Sequence, residues 1–189
     1  MKTRILVTGG TGYIGSHTVV ELQNNGYDVV IVDNLSNSRA EVVDSIEKIT
    51  GVRPAFEKVD CLDMQSLENV FVKYPGIKGI IHFAASKAVG ESVQKPLLYY
   101  RNNLVSLINL LELMPKYNVE GIIFSSSCTV YGQPDVLPVT ESAPIKKAES
   151  PYGNTKQINE EIIRDTVASG APINAIMLRY FNPIGAHPT

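Results

Sequence analysis

Short, nearly continuous apolar runs alternate with stretches of helical period along this chain. Runs such as Val29-Val30-Ile31-Val32 suit strands covered on both faces, as in parallel sheets. The pattern predicts strands over residues 4–8, 28–33, 55–59, 79–84, 121–126 and 174–180, and helices over 14–24, 39–49, 67–74, 95–114 and 151–168. Strand-helix-strand alternation with right-handed crossovers gives an α/β fold, a Rossmann-type doubly wound parallel sheet. Residues 133–149, with Pro134, Pro138 and Pro144, read as a long irregular excursion. Over 95–114, Leu97, Leu104, Leu107, Ile108, Leu111 and Met114 follow helical spacing, and Leu110 and Leu113 widen the stripe beyond what a sheet would cover.

The first predicted strand runs into Gly9-Gly10-Thr11-Gly12-Tyr13-Ile14-Gly15. Gly10, Gly12 and Gly15 satisfy G-x-G-x-x-G between a strand and a helix, the context that motif needs. Its backbone can approach a pyrophosphate, and the helix aims free N–H groups and its positive dipole end at the phosphates. Asp33 ends the second strand eighteen residues after Gly15, where a carboxylate accepts hydrogen bonds from adenosine ribose hydroxyls and repels a 2′-phosphate. NAD is therefore favoured over NADP, although Arg39 nearby is the residue type that accommodates a 2′-phosphate. The plainer alternative makes Asp33-Asn34 the start of a turn and the run through Ser38 a cap for the next helix.

Ser150-Pro151 reads as a helix start, which puts Tyr152 and Lys156 one turn apart on one face. A free tyrosine has a pKa of about 10. An adjacent ammonium is expected to lower it, so that the phenolate takes a proton from a sugar hydroxyl as hydride leaves the same carbon. The fifth strand ends in Ser125-Ser126-Ser127, and ligands bind beyond the carboxyl ends of parallel strands. Ser127, Tyr152 and the glycine loop are expected to meet there.

Bulk properties narrow the classes. The 189 residues suffice for one core, and the net charge of −2 gives no attraction to nucleic acid or an anionic membrane surface. The apolar run after Met1-Lys2-Thr3-Arg4 is too short for a signal or a membrane span. Cys61 and Cys128 have no metal-ligand spacing and read as reduced thiols of a cytoplasmic protein. His17, His82 and His187 are scattered and read as structural, with no metal site.

The glycine loop, Phe83-Ala84-Ala85, the run from Ser125 to Gly132, Tyr152 with Lys156, and Leu178-Arg179-Tyr180-Phe181-Asn182-Pro183 together resemble the extended short-chain dehydrogenase/reductases, and within them the UDP-glucose 4-epimerase branch. The resemblance covers the whole chain. It implies interconversion of UDP-galactose and UDP-glucose through a transient 4-keto sugar on tightly held NAD, in galactose metabolism. Tyr152 would be the base, with Lys156 tuning it and holding the nicotinamide ribose and Ser127 on the sugar hydroxyl. Gly9, Gly12, Tyr13, Ile14 and Gly15 would hold the pyrophosphate, and Asp33, Asn34, Leu35, Ser36, Asn37 and Ser38 the adenosine. Asp60 and Cys61 would lie near adenine. Phe83, Ala84, Ala85, Ser86 and Lys87 would lie beside the cofactor, Asn102 and Phe181 toward nicotinamide, and Asn182 at the phosphates of the nucleotide sugar.

The resemblance also implies a homodimer through helices near residues 95–114. It further implies a smaller domain beyond this chain that selects the sugar, so that 1–189 is the NAD-binding domain alone, with little or no epimerase activity by itself. Nucleotide-sugar 4,6-dehydratases of the superfamily carry Asp-Glu where this chain has Cys128-Thr129, which disfavours dehydration. Another nucleotide-sugar epimerase or decarboxylase, or a non-catalytic NAD-binding protein, are the alternatives. The poised Tyr152 and Lys156 argue against the last.

Overall fold

A computed structural model describes residues 2–188; Met1 and Thr189, the ends of the expected domain, lie outside the described residues. Six strands form one parallel sheet: β1 (Arg4–Thr8), β2 (Asp28–Asp33), β3 (Ala55–Lys58), β4 (Ile77–His82), β5 (Gly121–Ser127) and β6 (Asn174–Tyr180). Their order is β3-β2-β1-β4-β5-β6. The chain winds outward from β1 in one direction and returns past it to β4, so the strand order reverses between them. That is the crevice where doubly wound sheets bind dinucleotides.

The strand sequences explain the layers. Alternate residues of β1 and β2 face opposite ways, and each set carries buried apolar residues. Val7, Val29 and Ile31 pack under Val19 and Val20 of α1 (Tyr13–Asn24) and Val43 and Ile46 of α2 (Val42–Thr50). Leu6, Val30 and Val32 belong to the opposite core. There they join Leu67, Val70 and Phe71 of α3 (Met64–Lys73), Leu107 and Leu110 of α5 (Pro96–Lys116), and Ile163 of α6 (Pro151–Ala168). β6 is covered on one side only: Ala175 and Met177 pack against the second core, while Ile176 and Leu178 are exposed.

The wide apolar stripe of α5 divides differently from its sequence reading. Leu107, Leu110, Leu111, Leu113 and Met114 are buried, but Leu97 is 81% exposed and Ile108 also faces outward. Tyr99 is buried in the first turn, and the middle of the helix also buries polar residues, Asn103, Ser106 and Asn109. A short helix α4 (Val89–Gln94) precedes α5, and a 3-10 turn (Cys128–Tyr131) follows β5. Residues 133–149 are irregular, as expected. No described helix is long and apolar enough to cross a membrane.

His82, at the end of β4, is fully enclosed, with Nδ1 2.6 Å from Thr8 Oγ1 on the neighbouring strand. Burial, helped by the Lys156 ammonium, pushes its pKa down to about 3. The folded protein therefore binds this proton less readily than the unfolded chain, whose histidine titrates near 6.5. The stability is complete above 6.5 and is lost as pH falls toward 3. Urea unfolding is expected to lose about 1–2 kcal/mol between pH 6.5 and 5, and His82→Asn to flatten that slope.

Candidate active site at the carboxyl edge of the sheet

The glycine loop is built by exclusion. Gly9 has φ +69°, and a Cβ there would lie 2.7 Å from Ala84 N, at the start of the β4–α4 loop. A Cβ on Gly15 would lie 2.2 Å from Gly9 O, and one on Gly10 would lie 2.7 Å from Ile31 Cγ2. Gly12 differs. It has extended backbone (φ −74°, ψ 175°), and its only close neighbour would be Gly9 O at 3.2 Å. Three glycines are thus required by the protein itself, whereas Gly12 leaves open a space that a Cβ would fill. Gly12 is also the N-cap of α1 and has no side chain to satisfy the first N–H groups, and no acidic residue lies in the first turn. Those N–H groups, from Tyr13, Ile14 and Gly15, form an anion cradle. A dinucleotide pyrophosphate fits this chemistry.

Asp33 ties the cradle to the next loop. One carboxylate oxygen accepts from Thr11 N (3.2 Å), and the other from Leu35 N (2.9 Å) and Ser38 Oγ (3.1 Å). Ser38 Oγ is also 2.7 Å from Thr11 Oγ1. Ser38 therefore belongs to the loop rather than capping α2, which starts four residues later. These bonds hold Leu35 at φ 61°, left-handed backbone that a leucine rarely adopts. A carboxylate accepts about four hydrogen bonds, so Asp33 keeps capacity for a ribose hydroxyl. Asn34 donates to Asp60 Oδ2 (3.1 Å), closing this end of the site, and Ser36 and Asn37 are exposed beside it. Cys61 does not join them through its side chain. The thiol is in the core, pushed up to about 12 by burial, and its carbonyl accepts from Asn109 Nδ2.

The β4–α4 loop is held from α5. Asn103 is buried; its side chain accepts from Ser86 N (2.8 Å) and donates to Ser86 O (3.0 Å) and Thr155 Oγ1 (3.0 Å). Asn102 donates to Ser86 Oγ. Phe83, Ala84, Ala85 and Ser86 are part-buried at the strand end, Lys87 is exposed, and the Phe83 and Tyr180 rings lie 6.5 Å apart. Phe181 and Asn182 are exposed just past β6. Further on, Gly185 O accepts from Tyr13 Oη, bringing this segment over the glycine loop.

The reacting end is organised on α6. Ser150 caps it, accepting from Gly153 N, with Pro151 at the first helical position. Ser127 Oγ, at the end of β5, accepts from Thr129 N (3.2 Å). Lys156 lies 4% exposed with Nζ on Ser125 O (2.6 Å), 4.8 Å from the Phe124 ring and 5.8 Å from the Tyr152 ring. The expected lowering of Tyr152 by this lysine is not what the structure gives. Burial raises the phenol above its ordinary value, and the nearby Ser127 side chain is the influence that opposes it. Burial instead lowers Lys156, to about 8. Below pH 8 its ammonium carries the full desolvation cost, which is relieved as pH rises toward 10.5. Lys156→Met is expected to stabilise the chain at pH 7 by about 1–2 kcal/mol while weakening cofactor binding. Urea unfolding between pH 8 and 9.5 checks this, because the parent gains stability there and the variant does not.

The motifs gave no role to Thr11 or Arg179, which stand inside them, and did not include Asn103, Thr155 or Glu160. Glu160 is 1% exposed and accepts from Ser126 Oγ (2.6 Å), Arg164 (2.6 Å) and both Nε and Nη2 of Arg179 (2.9 and 2.8 Å). The available signal was its position: Tyr152, Lys156 and Glu160 repeat at every fourth residue along one helix face.

Comparison with known proteins bears on this site. Residues 5–189 match the model of the NAD dependent epimerase/dehydratase family. A UDP-glucose 4-epimerase of Schizosaccharomyces pombe is 56% identical over 189 residues, covering 98% of this chain and 53% of that protein. One from Bacillus subtilis is 52% identical over 185 residues, covering 98% and 54%. The crystal structure of UDP-glucose 4-epimerase from Bifidobacterium longum in complex with NAD+ and UDP superposes with a TM-score of 0.95 at 49% identity, over 98% of this chain and 55% of that one. The chain spans about half the length of the relatives it matches.

Proposed function

The chain belongs to the NAD dependent epimerase/dehydratase family, and on that premise we propose that it is the NAD-holding half of a UDP-glucose 4-epimerase. The observation that carries the reading is the pairing of two features on one sheet edge: a glycine cradle with a space left open at Gly12, and Tyr152 beside the buried Lys156. In this reading residues 1–189 form one NAD-binding domain. Asp33 takes the adenosine ribose, the first turn of α1 takes the pyrophosphate, and the Phe83–Lys87 loop with Asn102 and Phe181 flanks the nicotinamide half. Bound NAD supplies a hydride acceptor and donor at C4 of the hexose.

The residues then handle the proton. Tyr152 takes it from the C4 hydroxyl and returns it after the 4-keto sugar has turned over. Ser127 Oγ steadies the same oxygen, and Asn182 reaches the nucleotide-sugar phosphates. Lys156, with one donor on Ser125 O, has two N–H donors left for the ribose. Its ammonium favours the phenolate once charge develops. Cys128 and Thr129 offer no carboxylic acid to eliminate water, which supports epimerisation over dehydration. Exposed Leu97, Leu98 and Ile108 on α5, with Val89 and Val93 on α4, support a homodimer through this face. The two free thiols accord with a cytoplasmic setting.

The test follows the anomeric protons of UDP-galactose by NMR with the full-length gene product and trace NAD+. UDP-glucose formed without net NADH supports the proposal. No conversion by a protein shown to hold NAD+ contradicts it and moves the reading to another nucleotide sugar. The 189-residue chain alone is expected to show little turnover, because the relatives carry a further half of comparable length.

A further inference from the structure

We infer that Asn109 is a positioning residue for the adenosine end of the cofactor site, holding the loop between β3 and α3 so that Asp60 meets Asn34. The inference rests on the proposed reading in which the loop after Asp33 and the Asp60 turn flank the adenosine of NAD. Asn109 lies in the interior of α5 at 7% exposure, beside Leu107, Leu110 and Leu111 of the core in sequence. Asparagine is a poor helix former, and an amide taken out of water costs stability unless it is hydrogen-bonded. Its use is therefore in what it holds. Nδ2 donates to two consecutive carbonyls of the β3–α3 loop, Cys61 O (2.8 Å) and Leu62 O (3.2 Å). These two bonds take both hydrogens of the amide.

The loop so held is a tight turn built on Asp60. Asp63 N donates to Asp60 O (3.0 Å), and Leu62 N to Asp60 Oδ1 (2.9 Å). The other carboxylate oxygen accepts from Asn34 Nδ2 (3.1 Å), and Asn34 Oδ1 accepts from Ser36 N (3.0 Å). Hydrogen bonds thus run from α5 through the Asp60 turn into the loop that follows Asp33. Asn109 is the end of that chain fixed to the core, because α5 is a 21-residue helix packed under the sheet and the other members are loop residues. Asn103, six residues earlier and about 9 Å along the same helix, holds Ser86 of the β4–α4 loop. One helix therefore ties down the loops at both ends of the proposed dinucleotide, and Asn109 is its hold on the adenosine end.

The test titrates 5′-AMP, which carries the adenosine end alone, into the full 189-residue chain and its Asn109→Leu and Asn109→Ala variants by calorimetry. Affinity is expected to fall about fivefold or more in both variants, the effect of one net hydrogen bond. Amide exchange without nucleotide, followed by NMR, supplies the second readout. The Leu62 and Asp63 amides, which donate to Asp60, are expected to exchange about fivefold faster or more, beyond any change at the Ile123 amide of β5. A merely structural asparagine would speed exchange at Ile123 by as much and leave the AMP affinity of the folded chain unchanged, and that result overturns the inference. If Asn109→Leu does not fold, Asn109→Ala decides alone. A parent chain that binds no AMP contradicts the functional reading instead, and the exchange comparison still decides whether Asn109 holds the turn.

Discussion

Gly15→Ala is expected to prevent stable folding, whereas Gly12→Ala leaves the fold intact and weakens the dinucleotide site. At position 15 the new Cβ would stand 2.2 Å from Gly9 O, 2.9 Å from Gly10 Cα and 3.0 Å from Gly9 C. All three are backbone atoms of a loop already pinned, with Gly9 N on Val32 O and Gly9 packed against Ala84. No flexible side chain can yield, so the cost is about 4 kcal/mol or more, in the range of the largest single substitutions. At position 12 the only close neighbour is at 3.2 Å and the backbone suits any residue, so the cost is about 1 kcal/mol or less. The methyl instead occupies the approach of a pyrophosphate, and NAD+ affinity is expected to fall at least tenfold, about 1.4 kcal/mol. Urea unfolding and NAD+ titration of the two variants separate these outcomes.

Glu160→Ala is expected to be the most destabilising side-chain truncation at the site. It strands the Arg179 guanidinium, only 19% exposed, and leaves the buried Ser126 hydroxyl without its acceptor. Removing one partner of a buried pair costs about 3–5 kcal/mol. For a chain of this length that corresponds to roughly a 10 °C fall in Tm. Replacing both partners with apolar residues, as in Glu160→Met with Arg179→Met, is expected to recover most of the loss. Calorimetry on the three proteins checks both statements.

How legible these features were in the sequence follows from their physics. β1, β2, β6 and α6 match their expected bounds, because apolar runs bounded by turns specify strands, whether covered on both faces or, like β6, on one, and Ser150-Pro151 specifies a helix start. α3 begins at Met64 rather than at residue 67, because Asp63 caps it by accepting from Ser66 N, a signal that apolar periodicity does not carry. α4 has six residues with a glycine among them and no period of its own. It is held by Tyr99, whose hydroxyl accepts from Ala88 N and donates to Glu91.

The α5 stripe misled because hydrophobic spacing ranks only apolar residues. The side of α5 that faces the site buries Asn103 to fix Ser86, and Asn109 to fix the Cys61 and Leu62 carbonyls. The cradle, Asp33 and the Tyr152–Lys156 face were visible as motifs. What tunes them was not, because burial of Tyr152 and Lys156 and the joining of Glu160 to Arg179, nineteen residues away on another element, exist only after folding.

The most direct test of the account is calorimetric titration of the 189-residue chain with NAD+ and, separately, NADP+. The account predicts that NAD+ binds and that NADP+ binds at least about tenfold more weakly, because in the proposed reading the Asp33 carboxylate would repel a 2′-phosphate. Absence of NAD+ binding, or equal affinity for the two, would contradict it.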